Sequence, residues 1–210
     1  MSSERLAVGS VDGKDFKGLV LFFLLITDHW SPATDCSRLT IKMGEWRYLS
    51  RSPAETRRLA ARLGEQLAPG DVIALKGDLG SGKTEFVHGL AQGLGVPSRV
   101  PVASPSFTLV HEYPGRLALA HLDLYRLEQI SPVMLADLEE YLYGFRVAVV
   151  EWAERAAPWL PPDHLEVRLA IIGLQERELI FVSHGPRSNK IMSFLKDTEN
   201  RKPKTENRSR

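Results

Sequence analysis

Apolar residues in this chain come in short runs and helical stripes, divided by proline and glycine. Leu59, Leu63 and Leu67 recur every four residues behind Ser52-Pro53-Ala54-Glu55. That is a core-facing helix with a serine cap, a proline at its first position and a glutamate to close a capping box. Pro69-Gly70 ends it. Residues 44–50, 72–76 and 146–150 read as strands, the last two as buried apolar runs. Residues 83–93 and 132–142 read as helices. Two hairpins are predicted. One joins residues 108–113 to 117–122 through Pro114-Gly115; the other joins 165–171 to 178–183 around Gly173. This alternation of strands and helices predicts a three-layer α/β fold. Its central sheet is mainly parallel, with antiparallel additions.

Charge divides the chain into three parts. The whole chain nets +1. Residues 1–42 net zero and residues 185–210 net +5, so residues 43–184 net −4. An acidic central domain argues against a broad nucleic-acid-binding face. Residues 185–210 read as a basic, disordered tail. Residues 1–42 contain no complete element and read as an N-terminal extension. Met43 directly precedes the first strand and offers an alternative start. Cys36 is the only cysteine, so no internal disulfide framework exists, which fits a reducing, cytoplasmic setting. The run Leu19-Val20-Leu21-Phe22-Phe23-Leu24-Leu25-Ile26 is too short for a membrane helix of ~20 apolar residues. Charged residues precede it and no small-residue cleavage site follows, so neither membrane insertion nor export is expected.

Gly77-Asp78-Leu79-Gly80-Ser81-Gly82-Lys83-Thr84 fits G-x-x-x-x-G-K-[ST] between a strand and a helix. Glycines allow successive N–H groups to turn inward as an anion-binding nest, and the helix start adds a positive dipole end. Lys83 is placed to reach β- and γ-phosphates, and the Thr84 hydroxyl to ligate Mg²⁺. Asp123 and Glu151 each follow an apolar strand, at the carboxyl edge where α/β sheets bind ligands. They are candidates to hold Mg²⁺ and to orient water. Ser104-Pro105-Ser106-Phe107-Thr108 suits a switch segment near a γ-phosphate. His121 reads locally as a buried strand histidine, and His88 as a helix surface residue.

Four motifs in one order carry a resemblance. Residues 77–86 (GDLGSGKTEF), 104–110 (SPSFTLV) and 121–127 (HLDLYRL), with Glu151-Trp152, resemble the TsaE (YjeE) family over about residues 46–184. That family is the P-loop ATPase of bacterial tRNA threonylcarbamoyladenosine synthesis. The resemblance implies ATP or ADP bound with Mg²⁺. It implies partners TsaD and TsaB, tRNA reached only through that complex, and a modified adenosine in tRNAs reading codons that begin with adenine. Leu79, Gly80, Ser81, Gly82, Lys83 and Thr84 would wrap the phosphates. Thr84 and Glu151 would ligate Mg²⁺, with Asp123 as a Walker-B-like acid beside them. Lys83, Asp123 and Glu151 would carry the chemistry. Arg177 matches a nucleotide-contacting arginine, Pro53 a position near the base, and Trp152 an aromatic beside the site. Ser106 departs from the family's usual Ser-Pro-Thr, keeping the hydroxyl and losing a methyl. The competing readings are a small-molecule kinase on the same fold and a non-hydrolysing nucleotide-binding module.

Overall fold

The computed structural model describes residues 44–127 and 131–201. In chain order the elements are β1 (Glu45–Ser50), α1 (Pro53–Gln66), β2 (Val72–Lys76), α2 (Lys83–Gly93), β3 (Val110–Tyr113) and β4 (Leu119–Asp123). Then follow α3 (Pro132–Leu142), β5 (Val147–Glu151), a 3-10 helix (Ala153–Trp159), β6 (Leu165–Ile171), β7 (Arg177–Ser183) and α4 (Pro186–Asn200). One seven-stranded sheet has the order β1-β7-β6-β2-β5-β4-β3. Its centre, β6-β2-β5-β4, is parallel. The β3–β4, β6–β7 and β1–β7 pairs are antiparallel.

Period-two alternation gives the sheet two apolar faces. Ile73 and Leu75 pack with α1, α2 and α4 on one side. Val72 and Ala74 pack with α3 and the 3-10 helix on the other. The three expected layers are therefore present. Ser52 caps α1 by accepting the Glu55 N–H at 3.2 Å. Gly89 and Gly93 let α2 lie directly on α1. A Cβ at those positions would come within 2.3 Å of Arg57 O and 2.0 Å of Ala61 O. This close seat matters because the glycine-rich loop opens α2.

Two expectations change. The first hairpin strand begins at Val110 rather than 108, because Leu109 adopts a left-handed φ of 69° that no regular strand accommodates. Its partner runs from Leu119 to Asp123, rather than 117–122. The segment from Gly185 is also not a disordered tail as far as Arg201. Pro186–Asn200 is helical and buries Ile191, Met192 and Leu195 against the sheet. Asp163 accepts the N–H groups of Arg187 and Ser188 at 2.7 and 2.9 Å, capping the helix start. The Arg187 guanidinium grips Asp71 at 2.7 and 3.0 Å. The charge count hid a short apolar stripe at helical spacing. Residues 1–43, with the proposed extension, and 202–210, with the rest of the proposed tail, lie outside the described residues. Among the described residues, no helix is long and apolar enough to cross a membrane.

A polar cluster sits at the edge of β6 and β7. The rings of His164 and His184 stack at 4.1 Å between centroids. Glu166 accepts from Lys76 at 2.7 Å and from Arg168, so both its oxygens are engaged. Burial pushes the His164 pKa below its ordinary 6.5. The folded state therefore favours the neutral ring. Its contribution to stability is full above the unfolded value of about 6.5 and is lost as pH falls through the lower folded value. Urea unfolding should give a lower free energy at pH 5.5 than at 7.5, and His164→Gln should flatten that slope.

Candidate functional site

The turn between β2 and α2 is built on left-handed glycines. Gly77, Gly80 and Gly82 have φ of 143°, 78° and 99°. A Cβ on Gly77 would also lie 2.4 Å from Leu169 O, while Gly80 and Gly82 face open space. The last two are thus needed for conformation rather than room. The loop curls around Lys83, which is 5% exposed. Its ammonium donates to Gly77 O at 2.7 Å and Asp78 O at 2.9 Å. It lies 4.0 Å from the centre of the Trp152 ring. Burial pushes its pKa down, and Glu151, Glu154, Asp123 and Asp78 act the other way. Ser81 Oγ is buried without a hydrogen-bond partner among the described residues.

Arg177 grips this loop from outside. Its guanidinium donates to Ser81 O at 3.0 Å and Gly80 O at 3.2 Å, and to Gly173 O and Glu176 O of its own hairpin. Two carbonyls of the loop are held outward in this way. Pro53, Gln175 and Arg177 border a small recess of about 100 Å³ on that outer side. The structure thus brings Pro53 and Arg177 together beside the loop. The position of Arg177 is a clamp on the loop backbone.

The two acids meet at the carboxyl edge of the sheet. Asp123 and Glu151 are register partners across the parallel β4–β5 pair, and both are buried. Glu151 Oε1 accepts the Thr84 hydroxyl at 3.0 Å and His121 Nε2 at 2.9 Å. Asp123 accepts the Ser104 hydroxyl on Oδ2 and the Tyr125 N–H at 2.9 Å on Oδ1. Asp123 is thereby tied to the Ser104–Thr108 segment. Trp152 adopts a left-handed φ of 58°. Such a conformation costs a bulky residue on the order of 1–3 kcal/mol and concentrates at functional sites. It brings the indole against Lys83 and 5.0 Å from Tyr125.

Between these groups lies a cleft of about 430 Å³. Leu79, Gly80, Gly82, Lys83, Thr84, Ser104, Ser106, Asp123, Glu151 and Trp152 line it, joined by Tyr125 and Arg126. Phe107, next to the lining residue Ser106, is 85% exposed, and the Arg126 guanidinium lies 4.1 Å over its ring. Of the predicted site residues, Pro53, Ser81 and Arg177 do not line the cleft: Ser81 is fully buried within the loop, and Pro53 and Arg177 border the recess on its outer side. His121 is the buried strand histidine that the sequence predicts, with Nε2 turned to Glu151 Oε1 at 2.9 Å. Its two-residue spacing from Asp123 puts both on one face of β4, which was the available signal for that contact.

Comparison with known proteins agrees with this geometry. The family model for threonylcarbamoyl adenosine biosynthesis protein TsaE matches residues 50–179. The chain belongs to the TsaE family. It is 39% identical over 161 residues to the tRNA threonylcarbamoyladenosine biosynthesis protein TsaE of Bacillus subtilis, covering 76% of this chain and 98% of that one. With the TsaE protein of Treponema pallidum it shares 41% identity over 133 residues, 63% of this chain and 97% of the relative. The crystal structure of Bacillus subtilis YdiB superposes with a TM-score of 0.65 at 34% identity, over 75% of this chain and 98% of the other. The α/β architecture and the resemblance of the four motifs to TsaE are thus both supported. The family's role lies in tRNA threonylcarbamoyladenosine biosynthesis.

Proposed function

We propose that this TsaE protein binds ATP with Mg²⁺ in the cleft and hydrolyses it, acting with TsaD and TsaB in forming threonylcarbamoyladenosine on tRNA. The observation that carries the reading is the hydrogen bond from Thr84 to Glu151 beside Lys83 in the glycine loop. The residues suit the ligands. Ser81 Oγ is an orphaned polar atom, Lys83 is held by two backbone carbonyls, and two buried carboxylates converge on one edge.

The chain's own groups divide the work. Lys83 exchanges its carbonyl contacts for phosphate oxygens. Gly80 and Gly82 offer backbone N–H groups, the Ser81 N–H being held by Asp78 O at 3.1 Å, and Arg177 restrains the carbonyls of Gly80 and Ser81. Thr84, Glu151 and Asp123 would hold the metal, which supplies neutralisation of phosphate charge. Asp123 links that edge to Ser104, so contact with the γ-phosphate end reaches the Ser104–Thr108 segment. Glu151, whose Oε2 is not taken by a short hydrogen bond, would orient the attacking water. Leu79 and Trp152 wall the phosphate region, and Pro53 marks the outer side towards the base.

Turnover by the chain alone should be slow. Among the described residues the cleft is lined by one arginine, Arg126, and its guanidinium rests on Phe107 rather than on the loop. A charge supplied by a partner can add several powers of ten in other NTPases. Phosphate release measured with and without TsaD and TsaB tests the proposal. Release should rise roughly tenfold or more when both are present. Transfer of the γ-phosphoryl group to a metabolite without partners would overturn it in favour of a kinase.

A further inference from the structure

His121 is a polar side chain where packing alone would select a leucine. It is 0% exposed, in a strand whose neighbours Leu119, Ala120 and Leu122 are fully buried apolar residues. Nε2 lies 2.9 Å from Glu151 Oε1. Nδ1 is buried with no hydrogen-bond partner among the described residues. An unmet buried polar atom costs about 1–3 kcal/mol, so the residue is a burden on stability unless its other nitrogen does something.

The two nitrogens together place the proton. A carboxylate only accepts, so Nε2 carries the hydrogen that Glu151 receives. A second hydrogen on Nδ1 would be a buried N–H with nothing to accept it, which costs more than an idle lone pair. The ring is therefore the Nε2–H tautomer, and its single polar contact is with Glu151. Oε1 takes both donors, His121 and Thr84, while Oε2 has only a long 3.4 Å approach from the Thr84 hydroxyl. The carboxylate is pinned through one oxygen, and the other is left available.

We infer that His121 is a positioning residue: it fixes the rotamer of Glu151 so that the acid and the Thr84 hydroxyl meet a divalent cation in one arrangement. The inference rests on the Mg-nucleotide reading of the cleft. Groups that orient a metal ligand typically change metal affinity by about 10–100-fold when removed. Thr84 alone would hold the carboxylate in their absence, and that hydroxyl is itself a proposed ligand.

The test compares wild type, His121→Leu and His121→Gln by titrating Mg²⁺ into protein with a fluorescent ADP, with melting temperature as a check of folding. His121→Leu should need roughly 10–100-fold more Mg²⁺ for the metal-dependent gain in binding, with metal-free ADP binding unchanged. His121→Gln, whose amide N–H reaches the same place, should restore most of it. Wild-type Mg²⁺ dependence in a folded His121→Leu variant would overturn the inference, as would equal losses in both variants. Nitrogen-15 NMR of the wild-type imidazole needs no variant: a proton on Nε2 supports the inference, and the opposite tautomer sinks it. If wild-type ADP binding ignores Mg²⁺, the underlying metal-nucleotide reading fails, a result distinct from failure of the variants alone.

Discussion

Glu151→Gln should cut ATP turnover by roughly 10²–10³-fold, within the range that one general acid–base group supplies, while ADP affinity measured without Mg²⁺ stays within a few-fold. The substitution keeps the side chain's size and leaves an amide oxygen to accept from Thr84. It removes the negative charge: with the amide oxygen in the place of Oε1, which accepts from both Thr84 and His121, an NH₂ group replaces Oε2, the oxygen otherwise left available. The glycine loop, Lys83 and the Arg177 clamp are untouched, so phosphate binding persists. Phosphate release and ADP titration on the same preparation separate the two effects. Unchanged turnover would remove Glu151 from the mechanism. Equal loss of binding and turnover would make it a binding residue only.

Removing residues 185–210 should destabilise the domain by about 5 kcal/mol or more. Ile191, Met192 and Leu195 leave the sheet, at about 1.5–3 kcal/mol for each buried side chain. Asp71 loses the Arg187 fork and remains a largely buried carboxylate. Domains of this size are stable by only about 5–15 kcal/mol, so the truncated chain should unfold near room temperature or fail to accumulate. Leu195→Ala gives a graded version, about 2–5 kcal/mol by urea unfolding. A full-length melting temperature in the truncated protein would show that α4 is dispensable.

The same helix shows where sequence reading stops. Strands such as Val72–Lys76 and Val147–Glu151 declare themselves because they are buried on both faces and so read as unbroken apolar runs. The glycine loop is legible because few sequences need Gly, Gly, Lys and Thr at that spacing. Asp123 and Glu151 follow from their place after such strands. By contrast, α4 has one narrow apolar stripe among lysines, arginines and serines; Pro186 and Ser188, which accepts the Gly185 N–H at 2.9 Å, mark its start locally, but the Arg187 and Ser188 N–H groups are held by Asp163, more than twenty residues earlier. Such tertiary support leaves no local mark. Leu109 breaks its strand through a backbone angle that its side chain does not announce. His121 looked like a core residue because its partner Glu151 lies 30 positions away. Arg177 was placed by resemblance alone, and only the fold reveals that it grips the loop's carbonyls.

The claim at the centre is that the cleft between the glycine loop and the two acids is a Mg-nucleotide site. Calorimetric titration of the full chain with ADP, with and without Mg²⁺, addresses it most directly. One nucleotide should bind per chain, more tightly with Mg²⁺, and Lys83→Ala should weaken it severely. Absence of binding, or binding indifferent to both Mg²⁺ and Lys83, would contradict it.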